Sequence, residues 1–221
     1  MAHLFLGVAC VVAVLDWVAV TGERRRLGYV TKPGVMLALL AALGAAQRPA
    51  VTLWFVVGVA FSLLGDVFLM LPRERFLAGL GAFLCAHVAY IMGFAPWFLP
   101  REPVAWVLAL LVSVVAVLIA RSILPALAQK GKATLRVPVA VYMAVIVGMT
   151  IAAMWTNFQP TWDARAAVLV SWGAVYFLLS DALLAWNRFV HPVGWARLKV
   201  RVFYHVGQIL LVLGVIVQAG G

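Results

Sequence analysis

Eight stretches of the chain, at about 3–20, 29–46, 51–71, 76–96, 103–120, 137–155, 164–186 and 200–218, are apolar almost without interruption. A helix needs about 20 such residues to cross the hydrocarbon of a bilayer, and inside that layer only a helix or a closed barrel satisfies its own backbone. The alternating ten-residue pattern of barrel strands is absent. The sequence therefore predicts an all-α fold, a polytopic membrane helical bundle of eight transmembrane helices forming a single integral membrane domain over 1–221. Composition agrees: 66% of the residues are hydrophobic and 11% charged, against roughly 45–50% apolar in a soluble domain.

The opening stretch, "MAHLFLGVACVVAVLDWVAV", has no basic residue ahead of it and "ERRR" close after it. It reads as a retained helix and not as a secretory signal. Segment two is the shortest, with Lys32 and Pro33 expected in its first turn, where proline is tolerated. Cys10 and Cys85 both fall in expected helices and read as small packing residues. Trp97, Trp106, Trp155, Trp162, Trp186 and Trp195 fall near expected helix ends and read as an interfacial belt.

The formal charge of +10 needs an explanation. Nucleic acid is not expected as a partner, because its recognition asks for Lys and Arg clustered on a soluble face. Topology explains the charge instead. Arg24, Arg25, Arg26, Lys32, Arg73, Arg75, Arg121, Lys130, Lys132, Arg136, Arg188, Arg197, Lys199 and Arg201 fall in the odd-numbered connections; Arg48, Arg101 and Arg165 fall in the even-numbered ones. The positive-inside rule then puts the odd connections in the cytoplasm and both termini on the non-cytoplasmic side, with the basic ends near anionic lipid headgroups. A short echo, "FSLLGDVFLMLPRERF" against "YFLLSDALLAWNRF", aligns Asp66 with Asp181 and suggests two four-helix halves.

Glu23, Glu74, Glu102 and Asp163 fall in loops, whereas Asp16, Asp66 and Asp181 sit inside apolar segments, each about five or six residues from the cytoplasmic end. At 1.5 Å per residue that places them about 8–9 Å inside the boundary. Lys32, Tyr142, Tyr204, His205 and Gln208 share that layer, and His87 and Tyr90 lie deeper. Such groups at depth face the bundle interior or a water-filled cavity by default. Asp66 and Asp181 are the pair for which function is favoured over structure, since a buried carboxylate is costly. Structural alternatives stand beside the others: Lys32 snorkelling to the interface, Tyr90, Tyr142 and Tyr204 as interhelical hydrogen-bond donors, Asp16 paired with Arg24 or Lys32, and His87 as a satisfied interior histidine.

Read together, "TKPG", "LLGDVFLM", "FLAGLGAFLCAHVAY", "LLSDALLAWNRF" and "FYHVGQILL" resemble the lysoplasmalogenase-like (YhhN) family of membrane proteins, in order and spacing from about 31 to 211. The resemblance implies an eight-helix hydrolase that cleaves the sn-1 vinyl ether of a lysoplasmalogen, releasing a fatty aldehyde and a glycerophospho-headgroup, without a known metal or other cofactor. It carries functional roles onto Lys32, Asp66, His87, Tyr90, Ser180, Asp181, Asn187, Tyr204 and Gln208, and Tyr142 joins them by its depth. Where the family has Tyr-Tyr at the start of the last helix, this chain has Phe203-Tyr204.

Vinyl ether hydrolysis begins with protonation of the β-carbon, and water then attacks the oxocarbenium ion. Two carboxylates in one low-dielectric pocket, Asp66 and Asp181, are expected to supply acid and base as a coupled pair. Lys32 is expected to meet the lipid phosphate and the other polar residues to bind the lysophospholipid; membrane lipids are the further expected partners, and the oligomeric state stays open. The expected location is the bacterial inner (cell) membrane, with the site opening toward the cytoplasm. Three rivals remain: a metal-dependent, ceramidase-like lipid hydrolase using Asp66, His87, Asp181 and His205 as ligands, a proton-coupled or lipid transporter, and a non-catalytic lipid-binding or scaffold protein. Ser180 lacks the Gly-x-Ser-x-Gly surroundings of an activated serine.

Overall fold

The computed structural model describes residues 1–46, 49–71, 75–94 and 98–220. Eight helices run through them: α1 (Ala2–Thr21), α2 (Arg25–Gly44), α3 (Pro49–Met70), α4 (Phe76–Gly93), α5 (Pro103–Gln129), α6 (Arg136–Trp155), α7 (Ala164–Phe189) and α8 (Ala196–Gly220). Short 3-10 turns at Ala133–Leu135 and Thr156–Phe158 flank α6. Each of the eight helices is long and apolar enough to cross a membrane, so the chain is an integral membrane protein whose large outward-facing residues, such as Leu110, Leu118 and Val137, are exposed to lipid. Arg48, Arg73, Glu74 and Trp97 lie outside the described residues.

The closest pairings are α7 with α8, α3 with α4 and α1 with α2. In addition, α8 packs against α1, α2 and α3, which makes it the hub of the bundle, whereas α5 touches mainly α6 and α7 at the periphery. Glycines let α7 and α8 approach backbone to backbone. A Cβ added at Gly173 would lie 2.8 Å from the Leu211 nitrogen, and one at Gly207 would lie 2.9 Å from the Gly173 carbonyl oxygen. No side-chain rotation relieves a clash with backbone, so the two helices would have to separate. Gly207→Val is expected to destabilise the fold by about 1–3 kcal/mol or more, read as a lowered unfolding midpoint in detergent. Gly7→Ala, where a Cβ meets nothing within 4 Å, should leave the midpoint unchanged.

Two helix boundaries differ from the expected ones for physical reasons. Helix α2 starts at Arg25, not near 29, so Lys32 and Pro33 occupy its interior and not its first turn. Helix α5 continues past 120 to Gln129, through Arg121 and Pro125. Its extension is held by Ile123 and Leu127, which bury themselves with Val139 of α6 and Phe189 of α7 in a second, smaller core. At about 1.5 Å per residue, 27 residues outrun the hydrocarbon and reach through the headgroup layer, so a charge at Arg121 marks the boundary and not the helix end.

Arg188 likewise lies in the last turn of α7, and Arg197, Lys199 and Arg201 lie on α8 itself. The end of α1, the start of α2, the end of α3 and the start of α8 line one common cavity. The second core joins α5, α6 and α7 at the same basic end.

Candidate active site

Three polar clusters are built into the half of the bundle nearer the basic end, all converging on or beside α8. The first holds Asp66, fully buried near the end of α3. Lys32 of α2 places its Nζ 2.6 Å from one carboxylate oxygen, and the Tyr204 hydroxyl of α8 donates to the other at 2.9 Å. Lys32 reaches Asp66 because it sits two turns inside α2, and its side chain is 13% exposed. Deeper in the bundle, Tyr90 donates to Gln208 Oε1 at 2.8 Å, and Gln208 Nε2 donates to Ser62 at 3.0 Å. This chain of bonds ties α4, α8 and α3 together, and the Tyr90 ring lies over Gly58, where any side chain would collide with it.

The second cluster contains Asp181 of α7. The Tyr142 hydroxyl of α6 donates to Asp181 Oδ2, and His87 Nε2 of α4 lies 2.9 Å from the same hydroxyl. A tyrosine has one hydroxyl proton; when it goes to Asp181, His87 must donate through Nε2. His87 is fully buried, and its Nδ1 has no hydrogen-bond partner among the described residues. His87 Nε2 is itself 3.6 Å from Asp181 Oδ2, and the Asp181 side chain remains 15% exposed.

That exposure opens onto a cleft between α4, α5, α6 and α7, with about 830 Å³ of atom-free space counting its open mouth. Phe76, Leu80, Ile119, Ile146 and Leu178 are among its walls, and among the described residues its polar lining consists of Asp181, Tyr142 and Arg188. Arg188 stacks on Phe76, its guanidinium carbon 4.4 Å from the ring centroid, a cation–π placement that fixes its direction. Such a cleft, apolar with a few convergent polar groups, is the form that small-molecule sites usually take.

The two carboxylates expected to share one pocket have separate surroundings among the described residues. Asp181 lines the cleft and Asp66 does not. Between them stand Phe83 and Phe177: the Phe177 ring lies 4.7 Å from His87 and 5.3 Å from Tyr204, centroid to centroid, and Phe83 packs edge-on to Tyr204 at 5.9 Å. Among the described residues no hydrogen bond or ion pair joins Asp66 to Asp181. Each carboxylate instead has its own partners, because Lys32 comes from α2 and the His87–Tyr142 pair from α4 and α6.

The third cluster surrounds Asp16 of α1, also fully buried. Its Oδ1 accepts from Thr31 at 2.6 Å and from Arg201 Nη1 at 2.5 Å. Its cationic partner is thus Arg201 of α8, and not Arg24 or Lys32. His205 Nδ1 is 4.0 Å from Asp16 Oδ2, but it accepts the Trp17 indole N–H at 3.2 Å. Since an indole only donates, that nitrogen is unprotonated and the pair is not an ion pair.

Other residues singled out from the sequence are placed elsewhere. The Ser180 hydroxyl donates to the Val200 carbonyl at 3.1 Å, and Asn187 Oδ1 accepts the Val193 N–H at 2.9 Å; the first bond ties α7 to the start of α8, the second to the loop before it, and both lie outside the cleft. Asp66, His87, Asp181 and His205 are divided among the three clusters, and among the described residues no three His, Cys, Asp or Glu side chains gather as a metal site would require. Ser62, Trp17 and the bond between Asp16 and Arg201 escaped the sequence reading. Ser62 carried a visible signal, standing one turn before Asp66 on the same helical face.

The YhhN family model matches residues 27–215, a span that starts after α1 and so excludes Asp16. The chain is 30% identical to lysoplasmalogenase TMEM86B of Mus musculus, over 96% of this chain and 85% of that one. It is 31% identical to the lysoplasmalogenase of Mycobacterium tuberculosis, over 80% of this chain and 67% of that one. With the uncharacterized membrane protein YhhN of Escherichia coli it shares 30% identity, over 69% of this chain and 70% of that one. No solved structure is significantly similar to it. The family match spans the helices that carry Asp66, His87, Asp181 and Tyr204, and on that ground, with the relatives beside it, the chain belongs to the YhhN family.

Proposed function

We propose that the protein is a lysoplasmalogenase-type hydrolase acting on the sn-1 vinyl ether of a lysophospholipid. The observation that carries this reading is the Asp181 carboxylate, bonded to Tyr142 and backed by His87, at the polar side of an apolar cleft. The activity named for its relatives agrees with it. The lipid's hydrocarbon lies along Leu80, Ile119 and Ile146, and its phosphate meets Arg188. Asp181 and Arg188 stand seven residues apart on α7, about 10 Å along the axis, a span that the glycerophosphate and the arginine side chain bridge together.

In the reactive state the Asp181 carboxyl carries a proton and delivers it to the β-carbon of the vinyl ether. The resulting carboxylate faces the oxocarbenium ion and stabilises it. Water then adds to the cationic carbon, its proton returns to Asp181, and the hemiacetal collapses to the fatty aldehyde and the headgroup alcohol. One water is consumed and the carboxyl is restored. Tyr142 and His87 hold the carboxyl in place and shift the proton along their hydrogen bonds. Asp66, Lys32 and Tyr204 act as positioning groups behind the Phe83–Phe177 wall, where a buried ion pair locks α2, α3 and α8. The basic end faces the cytoplasm, both termini lie outside, and the membrane is the bacterial inner (cell) membrane.

Incubating the purified protein with a lysoplasmalogen and with its saturated 1-alkyl analogue tests the chemistry. Aldehyde is expected from the first alone, because only the vinyl ether can be protonated on carbon. Equal turnover of the two lipids would contradict the mechanism.

A further inference from the structure

We propose that the basic end carries a second binding site, separate from the Asp181 cleft, for a phosphate-bearing anion. A cavity with about 1100 Å³ of atom-free space, counting its open mouth, lies between the end of α1 and the starts of α2 and α8, with Leu69, Met70 and Leu71 at the end of α3 along one side. Arg24, Arg25, Arg197 and Arg201 line it together with Tyr29, and among the described residues the acidic one in its walls is Glu23. Among the described residues, four guanidinium groups, that of Arg201 ion-paired to buried Asp16, face the one carboxylate of Glu23 in this concave space and leave a local excess of positive charge. Arginine in particular matches phosphate oxygens with its planar fork of donors.

The cavity is built, and is not a chance gathering of surface charge. Glu23, in the left-handed region at φ 53°, turns the chain sharply between α1 and α2, and the Arg24 N–H closes that turn on the Ala19 carbonyl at 2.8 Å. Both Arg24 and Arg25 are thereby delivered to the cavity wall that α8 completes. Arg201 is anchored from behind: buried Asp16 takes one hydrogen bond from its Nη1 at 2.5 Å, and Asp16 is itself held by Thr31 at 2.6 Å. A guanidinium has five N–H donors, and the part of Arg201 that remains exposed, 21% of the side chain, belongs to the cavity. Gly28 of α2 lies beside it, since a Cβ there would sit 3.7 Å from the Arg201 Nη1. An arginine fixed by a buried carboxylate does not have to be ordered when a ligand arrives.

The ligand's phosphate has two sources, an anionic lipid headgroup or a soluble phosphate ester. Leu69 lines both this cavity and the Asp181 cleft, so the two sites are neighbours divided by an apolar wall. Binding here does not depend on the reaction at Asp181.

The test uses the full chain. In detergent, the unfolding midpoint and titration calorimetry are followed against glycerol 3-phosphate; in nanodiscs, the midpoint is compared between phosphatidylglycerol and phosphatidylcholine. The variants are Arg24→Gln with Arg197→Gln, and Arg25→Gln alone as a milder change. Arg121→Gln with Lys130→Gln removes the same charge from exposed positions on and just after α5 and serves as the control. Saturable stabilisation is expected, weakened at least tenfold in the cavity variants and unchanged in the control. Stabilisation by glycerol 3-phosphate identifies a soluble ester, and stabilisation in phosphatidylglycerol alone identifies a lipid headgroup. Absence of both, or equal weakening by the control, overturns the proposal.

Discussion

Asp181→Asn is expected to lower aldehyde release from a lysoplasmalogen by about 10²–10⁴-fold, the range that a positioned proton donor contributes, while the protein keeps its unfolding midpoint. The asymmetry between activity and stability follows from the surroundings of the residue. Asparagine keeps the shape of the side chain and still accepts the Tyr142 hydroxyl, so the contact between α6 and α7 survives. What it loses is the ability to give a proton to carbon and to face a developing cation with negative charge. Substrate affinity should change little, because the apolar walls of the cleft and Arg188 are untouched. Aldehyde formation under saturating substrate, set beside a thermal melt of the same sample, reads both quantities. Native activity in the Asp181→Asn variant would remove this carboxylate from the mechanism.

The second large effect concerns stability. Lys32→Met leaves Asp66 fully buried without the ammonium now 2.6 Å away, and stranding one partner of a buried ion pair costs about 3–5 kcal/mol. Tyr204 still donates to the carboxylate, but a neutral hydroxyl does not replace a positive charge. The double change Lys32→Met with Asp66→Asn removes both charges, and it should recover much of the loss. Denaturant unfolding in detergent of the two single variants and the double one gives the coupling directly. If Lys32→Met unfolds like the native protein, the pair is not the buried bond described. The same comparison separates Asp66 from Asp181: the first is expected to fail through the fold, the second through the chemistry.

Much of the molecule was legible in the chain alone. The eight helices follow from the length of the apolar runs, because a backbone in hydrocarbon has no other partner than itself. Asp66, His87, Asp181, Tyr204 and Gln208 stood out because a polar group in such a run must find company inside the bundle. The helix ends were harder to read. Arg121 and Lys32 looked like boundary residues, yet a charged side chain can sit on a helix that continues, and whether it does depends on neighbours such as Val139 and Phe189 that bury Ile123 and Leu127.

Partner choice was harder still. Asp16 bonds to Arg201, a residue 185 positions away, and Lys32 bonds to Asp66, because α8 runs through the centre with α1, α2 and α3 packed around it. Helical spacing tells which residues share one face of one helix; it is silent on which faces meet. The depth and kind of each polar residue were therefore properties of the chain by itself. The division of those residues into three clusters, and the placing of Asp181 rather than Asp66 on the cleft, came from the packing of aromatic rings between helices, which local sequence does not encode.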